Sequence, residues 1–190
     1  GQDGKFGYEN LIDRANADLA SGLGNLASRT LSMIAKYRDG KIPSGEGSEF
    51  ASNLSSKRDD FIEHFDNLEL SQALESAWAT IASADKMISD AKPWVLAKDP
   101  NLERELNDVL YRAAETLRWL CVMLYPAMPR STEKIYRQLG ASDELKTLDP
   151  SKLVWGGLAA GAAIGESEAV FPRIDKTKVM NEIKSELEAA

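Results

Sequence analysis

From Asp18 to Pro43 the apolar side chains recur at helical spacing: Leu19, Leu23, Leu26, Thr30, Met33, Ile34 and Tyr37 fall on one broad stripe. Such a stripe commits this stretch to a helix lying on a core, stopped by Gly40 and Pro43. Gly22 and Gly24 each cost about 1 kcal/mol in a helix interior, which predicts a kink or the close approach of a neighbouring helix there. Asn25 and Arg29 stand off the stripe, four residues and about 40° apart, so their side chains share one face. An amide beside a guanidinium can read the edge of an unpaired base. The plainer account is a solvated charge next to a tolerated amide, and periodicity alone favours it.

The rest of the first 140 residues repeats the helical pattern, after a glycine-rich lead (Gly1, Gly4, Gly7) and a short helical stretch from Tyr8. A second helix is predicted over about Phe50 to Phe65. A third runs over Leu70 to Ala91, striped by Ala73, Leu74, Ala77, Trp78, Ile81, Ala84 and Ile88 and closed by Lys92-Pro93. A fourth starts at Asn101 or Asn107 and reaches Tyr125, and a fifth spans Ser131 to Leu139 before Gly140. No segment alternates as a strand, so the expected fold is all-α, a helical bundle of about five main helices occupying residues 1–150. Residues 151–175 then turn small and glycine-rich. Trp155, Phe171 and Ile174 predict that this irregular segment packs back along a surface, one that need not lie in this chain. Asp175 can cap a last helix over 176–190.

Several chemistries are excluded by what the chain contains. With only His64 and Cys121 as soft ligands, a four-ligand zinc site cannot be assembled, and no metal site is expected. Cys121 sits in the apolar run Trp119 to Leu124, as a buried small hydrophobe would. The carboxylates Asp59, Asp60, Glu103, Glu105, Glu182, Glu186 and Glu188 read as solvated helix faces. There is no phosphate-cradling Gly-rich loop, no nucleophile elbow and no histidine with a neighbouring nucleophile, so no catalytic residue is assigned. No apolar run is long enough to cross a bilayer, and the chain is expected to be cytoplasmic. Its start at Gly1 rather than Met suggests a processed product or a piece of something longer.

The net charge of −7 argues against a broadly basic nucleic-acid binder, but the charge is uneven. Arg29, Lys36, Arg38 and Lys41 against Asp39 make Gly24 to Ile42 +3, leaving −10 for the remainder. Lys36, Arg38 and Lys41 are therefore candidates for contacts to a phosphate backbone. Trp94, on the connection after the third helix, can be a core anchor or a stacking platform. Composition favours the anchor, and Trp78 and Trp119, inside apolar stripes, fit that role better.

Six stretches, taken in order, resemble the C-terminal part of bacterial-type methionyl-tRNA synthetases. They are Asn16-Ala17-Asp18-Leu19-Ala20, Leu23-Gly24-Asn25-Leu26-Ala27-Ser28-Arg29-Thr30-Leu31, Pro93-Trp94-Val95-Leu96-Ala97-Lys98-Asp99, Leu124-Tyr125-Pro126-Ala127-Met128-Pro129, Trp155-Gly156-Gly157-Leu158 and Phe171-Pro172-Arg173-Ile174-Asp175. The resemblance implies a class I synthetase anticodon-binding domain, a helical bundle that grips the CAU anticodon of methionine tRNA. It implies that Asn25 and Arg29 read anticodon bases and that Trp94 stacks on one, as unpaired loop bases are generally recognised. The family's catalytic domain would precede Gly1 and be a partner of this chain. ATP and magnesium, with zinc a further candidate, would belong to that domain, leaving no cofactor here, and neither DNA nor a membrane is expected as a partner. Residues 151–175 would return toward the same domain. Two positions depart from the family pattern: Gly22 replaces a common acidic residue, and Asp85 replaces an asparagine ahead of the tryptophan turn. The alternative is a non-catalytic helical protein-interaction module derived from the synthetase fold, which would ignore the anticodon.

Overall fold

A computed structural model describes residues 7–189, so most of the glycine-rich lead lies outside the described residues. The chain runs through α1 (Tyr8–Arg14), a π-helical stretch (Ala15–Gly24), α2 (Asn25–Arg38), α3 (Ser48–Asp66), α4 (Leu70–Ala91) and the short α5 (Pro93–Leu96). α6 (Glu103–Leu124), α7 (Pro129–Gln138) and α8 (Lys176–Ala189) follow, with 3-10 turns at Pro100–Leu102, Leu145–Thr147 and Pro150–Lys152. Among the described residues the only β pairing is an isolated bridge between Lys41 and Ala163. The architecture is the expected all-α bundle.

α6 is the axis of the bundle. Its second half, Ala113 to Leu124, is buried all round, and α4, α7 and α2 pack on it. A helix buried on every side has no polar face to spare. Yet α6 holds Glu115 with no exposed surface and Arg118 at 7%. The pair is stable there because every charge is answered. Arg118 donates to Glu115 from Nε at 3.0 Å and from Nη2 at 2.6 Å, and Trp119 Nε1 donates to the same carboxylate at 3.3 Å. The backbone N–H groups of Gly156, Gly157 and Leu158 complete the shell at 3.0 to 3.1 Å. Arg118 Nη2 also donates to the Val154 carbonyl at 2.7 Å.

This cluster explains the turn Trp155-Gly156-Gly157-Leu158. Three successive amides must converge on one carboxylate, which draws the backbone against the guanidinium. A Cβ on Gly157 would lie 2.3 Å from Arg118 Cζ. Gly156 sits at φ +91°, where side chains are strained. The segment packs on this chain's own helices. Trp155 meets Tyr111 and Phe50 edge-on with centroids 6.0 Å apart. Farther on, the Asn16 side chain holds Ile174, donating to its carbonyl at 2.9 Å and accepting from its N–H at 2.8 Å.

The first long helix departs from one register. Over Ala15–Gly24 it is π-helical, with i→i+5 bonding, before it tightens into α2. Ten residues is long for a form met mostly as single-turn bulges. Both glycines fall inside it. The close approach expected at these glycines is not met at Gly22, where an added Cβ would find only ordinary contacts, the Ala17 carbonyl at 3.6 Å and Trp78 Nε1 of α4 at 3.9 Å. At Gly24 it is made by the returning segment, since a Cβ there would meet Phe171 at 3.3 Å and the Leu19 carbonyl at 2.9 Å.

Candidate nucleic-acid interface

α2 turns Leu26, Ala27, Thr30, Leu31, Met33 and Ile34 inward. With that face fixed, Asn25, Ser32 and Lys36 are exposed, and Arg29 is half-buried between them. Asn25 side-chain atoms make no hydrogen bond to the described residues, so its amide is available to an outside partner.

Trp94 reaches the same surface from the other side. α4 ends because Lys92 adopts the left-handed conformation (φ 50°, ψ 61°) and donates to the Ile88 carbonyl at 3.1 Å. Pro93 then sits buried at the first position of α5, where its fixed φ suits a helix start. The residue after that anchor is aimed outward. Trp94 is 43% exposed, unlike Trp119, which is wholly buried, and half-buried Trp78. The indole is therefore a platform on the surface rather than a plug in the core.

Arg29 joins the two elements. Its guanidinium lies over the Trp94 ring, 5.6 Å from the centroid, a cation–π contact worth about 0.5 to 1 kcal/mol at an exposed site. Nη1 donates a long hydrogen bond of 3.4 Å to Ser89 Oγ and stands 3.9 Å from Asp85 Oδ1. Asp85 and Ser89 are one turn apart on α4, so the arginine is steered onto the indole from below. Asp85 Oδ1 is shielded from solvent and accepts no hydrogen bond. Burial pushes the Asp85 carboxyl above its ordinary value, and the Arg29 charge opposes this. A raised carboxyl favours the protonated folded form, so Asp85 subtracts stability at neutral pH and less of it as pH falls toward and below the ordinary carboxylate range. Asp85→Asn is accordingly expected to raise the midpoint of thermal unfolding at pH 7 and to leave it nearly unchanged only at pH values below the ordinary carboxylate range. A midpoint lower than wild type at pH 7 would show that the Arg29 attraction outweighs the desolvation.

The three basic candidates at the end of α2 have separate fates. Lys36 is exposed, its Nζ 5.3 Å from the Tyr37 ring centroid. Lys41 is exposed while its backbone pairs with Ala163. Arg38 is engaged inside the fold: it donates to Asn107 Oδ1 and to the Glu103 carbonyl, and stands 3.9 Å from the Glu103 carboxylate. It ties the end of α2 to the start of α6. Asp85 and Ser89 enter the site as partners of Arg29; their helical spacing four residues apart, ahead of Trp94, is the signal that marks them.

An amide, a guanidinium and a half-exposed indole suit a flat ring system presented edge-on and stacked. Among the described residues no group of His, Cys, Asp or Glu could hold a metal ion. No helix among them is long and apolar enough to cross a membrane.

No protein-family model matches the chain. It is 39% identical over 99% of its length to the methionine–tRNA ligase of Caldanaerobacter subterraneus subsp. tengcongensis, of which it covers 30%. It is 38% identical over its full length to that of Bacillus subtilis, covering 29%. Among solved structures, the apo form of Mycobacterium tuberculosis methionyl-tRNA synthetase superposes with a TM-score of 0.80 at 35% identity, over 92% of this chain and 36% of that one. The same enzyme in complex with methionyl-adenylate superposes at 0.78 and 34% identity, over 88% of this chain and 34% of that one. The chain thus spans about 30% of the length of the curated relatives it matches.

Proposed function

Since this chain corresponds along nearly its whole length to the C-terminal part of methionine–tRNA ligases, we propose that it is their anticodon-binding domain and grips the CAU anticodon of methionine tRNA. The observation that carries this is the Arg29 guanidinium lying over the half-exposed Trp94 ring, with the free amide of Asn25 one helical turn away. Trp94 stacks on the first anticodon base, and Asn25 and Arg29 hydrogen-bond its edge. Asp85 and Ser89 position Arg29. Stacking supplies affinity with little sequence preference, while edge contacts discriminate.

In the longer protein, the segment 151–175 returns toward a catalytic domain, which is this chain's partner and would hold the ATP and magnesium that aminoacylation uses, with zinc a further candidate. The protein acts in the cytoplasm. Arg29→Ala tests the assignment. The ratio of affinities for stem-loop RNAs with CAU and UAU loops is expected to fall toward one, a loss of about 1 to 3 kcal/mol of discrimination. An unaltered ratio would remove Arg29 from base recognition. A protein-interaction module would bind its partner regardless of either loop.

A further inference from the structure

We propose that Lys92 and Lys98 grip the RNA phosphates on either side of the base stacked on Trp94, and that Lys36 extends this track along α2. The proposal rests on the anticodon-binding assignment and goes beyond it by tracing the backbone of the bound strand.

In a chain with 30 acidic and 23 basic residues, cations are expected to find carboxylates. Many do: Arg14 pairs with Asp18 at 2.8 Å, Arg104 with Glu46 at 3.1 Å, and Lys152 with Asp149 at 3.3 Å. Even Lys86, on the last turns of α4, is bound by Asp90. Lys36, Lys92 and Lys98 belong to the remainder, with Lys41, Arg130, Lys178 and Lys184, and what singles them out is their place beside Trp94 and Arg29. Each is exposed, and none has a carboxylate oxygen within 4.0 Å among the described residues. An unpaired ammonium keeps its full charge and three donors for an outside anion.

Their placement is set by the same turn that presents the indole. Lys92 is the left-handed residue that ends α4, two positions before Trp94. The chain stays helical through Ala97, and the Lys98 N–H donates to the Val95 carbonyl at 3.0 Å, so Lys98 follows one turn after Trp94. The platform is bracketed by charge. On α2, Lys36 stands two turns beyond Arg29 on the same face, and Asn25 to Lys36 covers roughly 16 Å at 1.5 Å per residue. Arg38, two residues after Lys36 and on a different side of α2, is occupied by Asn107 and Glu103 and is not part of the track.

The test is the salt dependence of binding of the 190-residue chain to the CAU stem-loop. Each phosphate contact to a single strand contributes about 0.7 to the slope of log K against log salt. A Lys92→Gln/Lys98→Gln double variant is expected to flatten that slope by about 1.4 while leaving the ratio between CAU and UAU loops unchanged. A Lys178→Gln/Lys184→Gln double variant removes the same charge from α8 and is expected to keep the wild-type slope. An unchanged slope in the first variant, or an equal fall in both, would overturn the track alone. A wild-type chain that binds both loops equally would overturn the assignment beneath it.

Discussion

Trp94→Ala is expected to weaken binding of the CAU stem-loop by about 1 to 3 kcal/mol, roughly 5- to 150-fold, the usual worth of one base stacked on an aromatic side chain. Helicity and the unfolding midpoint are expected to stay near wild type, because the indole is 43% exposed and lies against Arg29 rather than in the core. Trp94→Phe should recover part of the affinity, since a smaller ring still stacks. The informative pair of measurements is binding and thermal unfolding on the same protein. Unfolding of Trp94→Ala would make the indole a core anchor and leave the stacking platform without support.

The largest effect on stability is expected at Glu115, whose partners are Arg118, Trp119 and the turn Gly156 to Leu158 rather than residues of the proposed RNA surface. Glu115→Ala leaves the buried Arg118 charge uncompensated and strips acceptors from the N–H groups of Gly156, Gly157 and Leu158. Breaking a buried pair in this way costs about 3 to 5 kcal/mol. Glu115→Gln keeps the shape and some acceptor capacity and should cost less. Denaturant titration of both variants checks the order. If Glu115→Ala cost under 1 kcal/mol, the cluster would not be what fastens the glycine turn to α6.

Local patterns in the chain were enough to mark the helices, because each carries its own stripe and its own stop. α4 is the clearest case: the alanine-rich stripe begins at Leu70, and Lys92-Pro93 ends it, so Leu70–Ala91 is legible from sequence. The π-helical register of Ala15–Gly24 is not, since the stripe over Leu19 to Tyr37 fits a single α period. The glycines signalled a disturbance there but not its kind. Glu115 and Arg118 were invisible for a different reason: charges on a helix are ordinarily solvated, and only tertiary packing shows that α6 has no outer face in its second half. Arg38 likewise carries the sequence mark of an available cation, and its engagement with Asn107 joins residues on two different helices. At the proposed site, sequence spacing put Asn25 and Arg29 on one face, whereas the exposure of Trp94 and its contact with Arg29 depend on how α4 ends against α2.

The affinity of the chain for two stem-loop RNAs, identical except for CAU or UAU in the loop, tests the central claim most directly when measured at two salt concentrations. Anticodon recognition by this domain predicts tighter binding of the CAU loop by tenfold or more, with the ratio preserved as salt weakens both complexes. Equal affinities at both salts would contradict it.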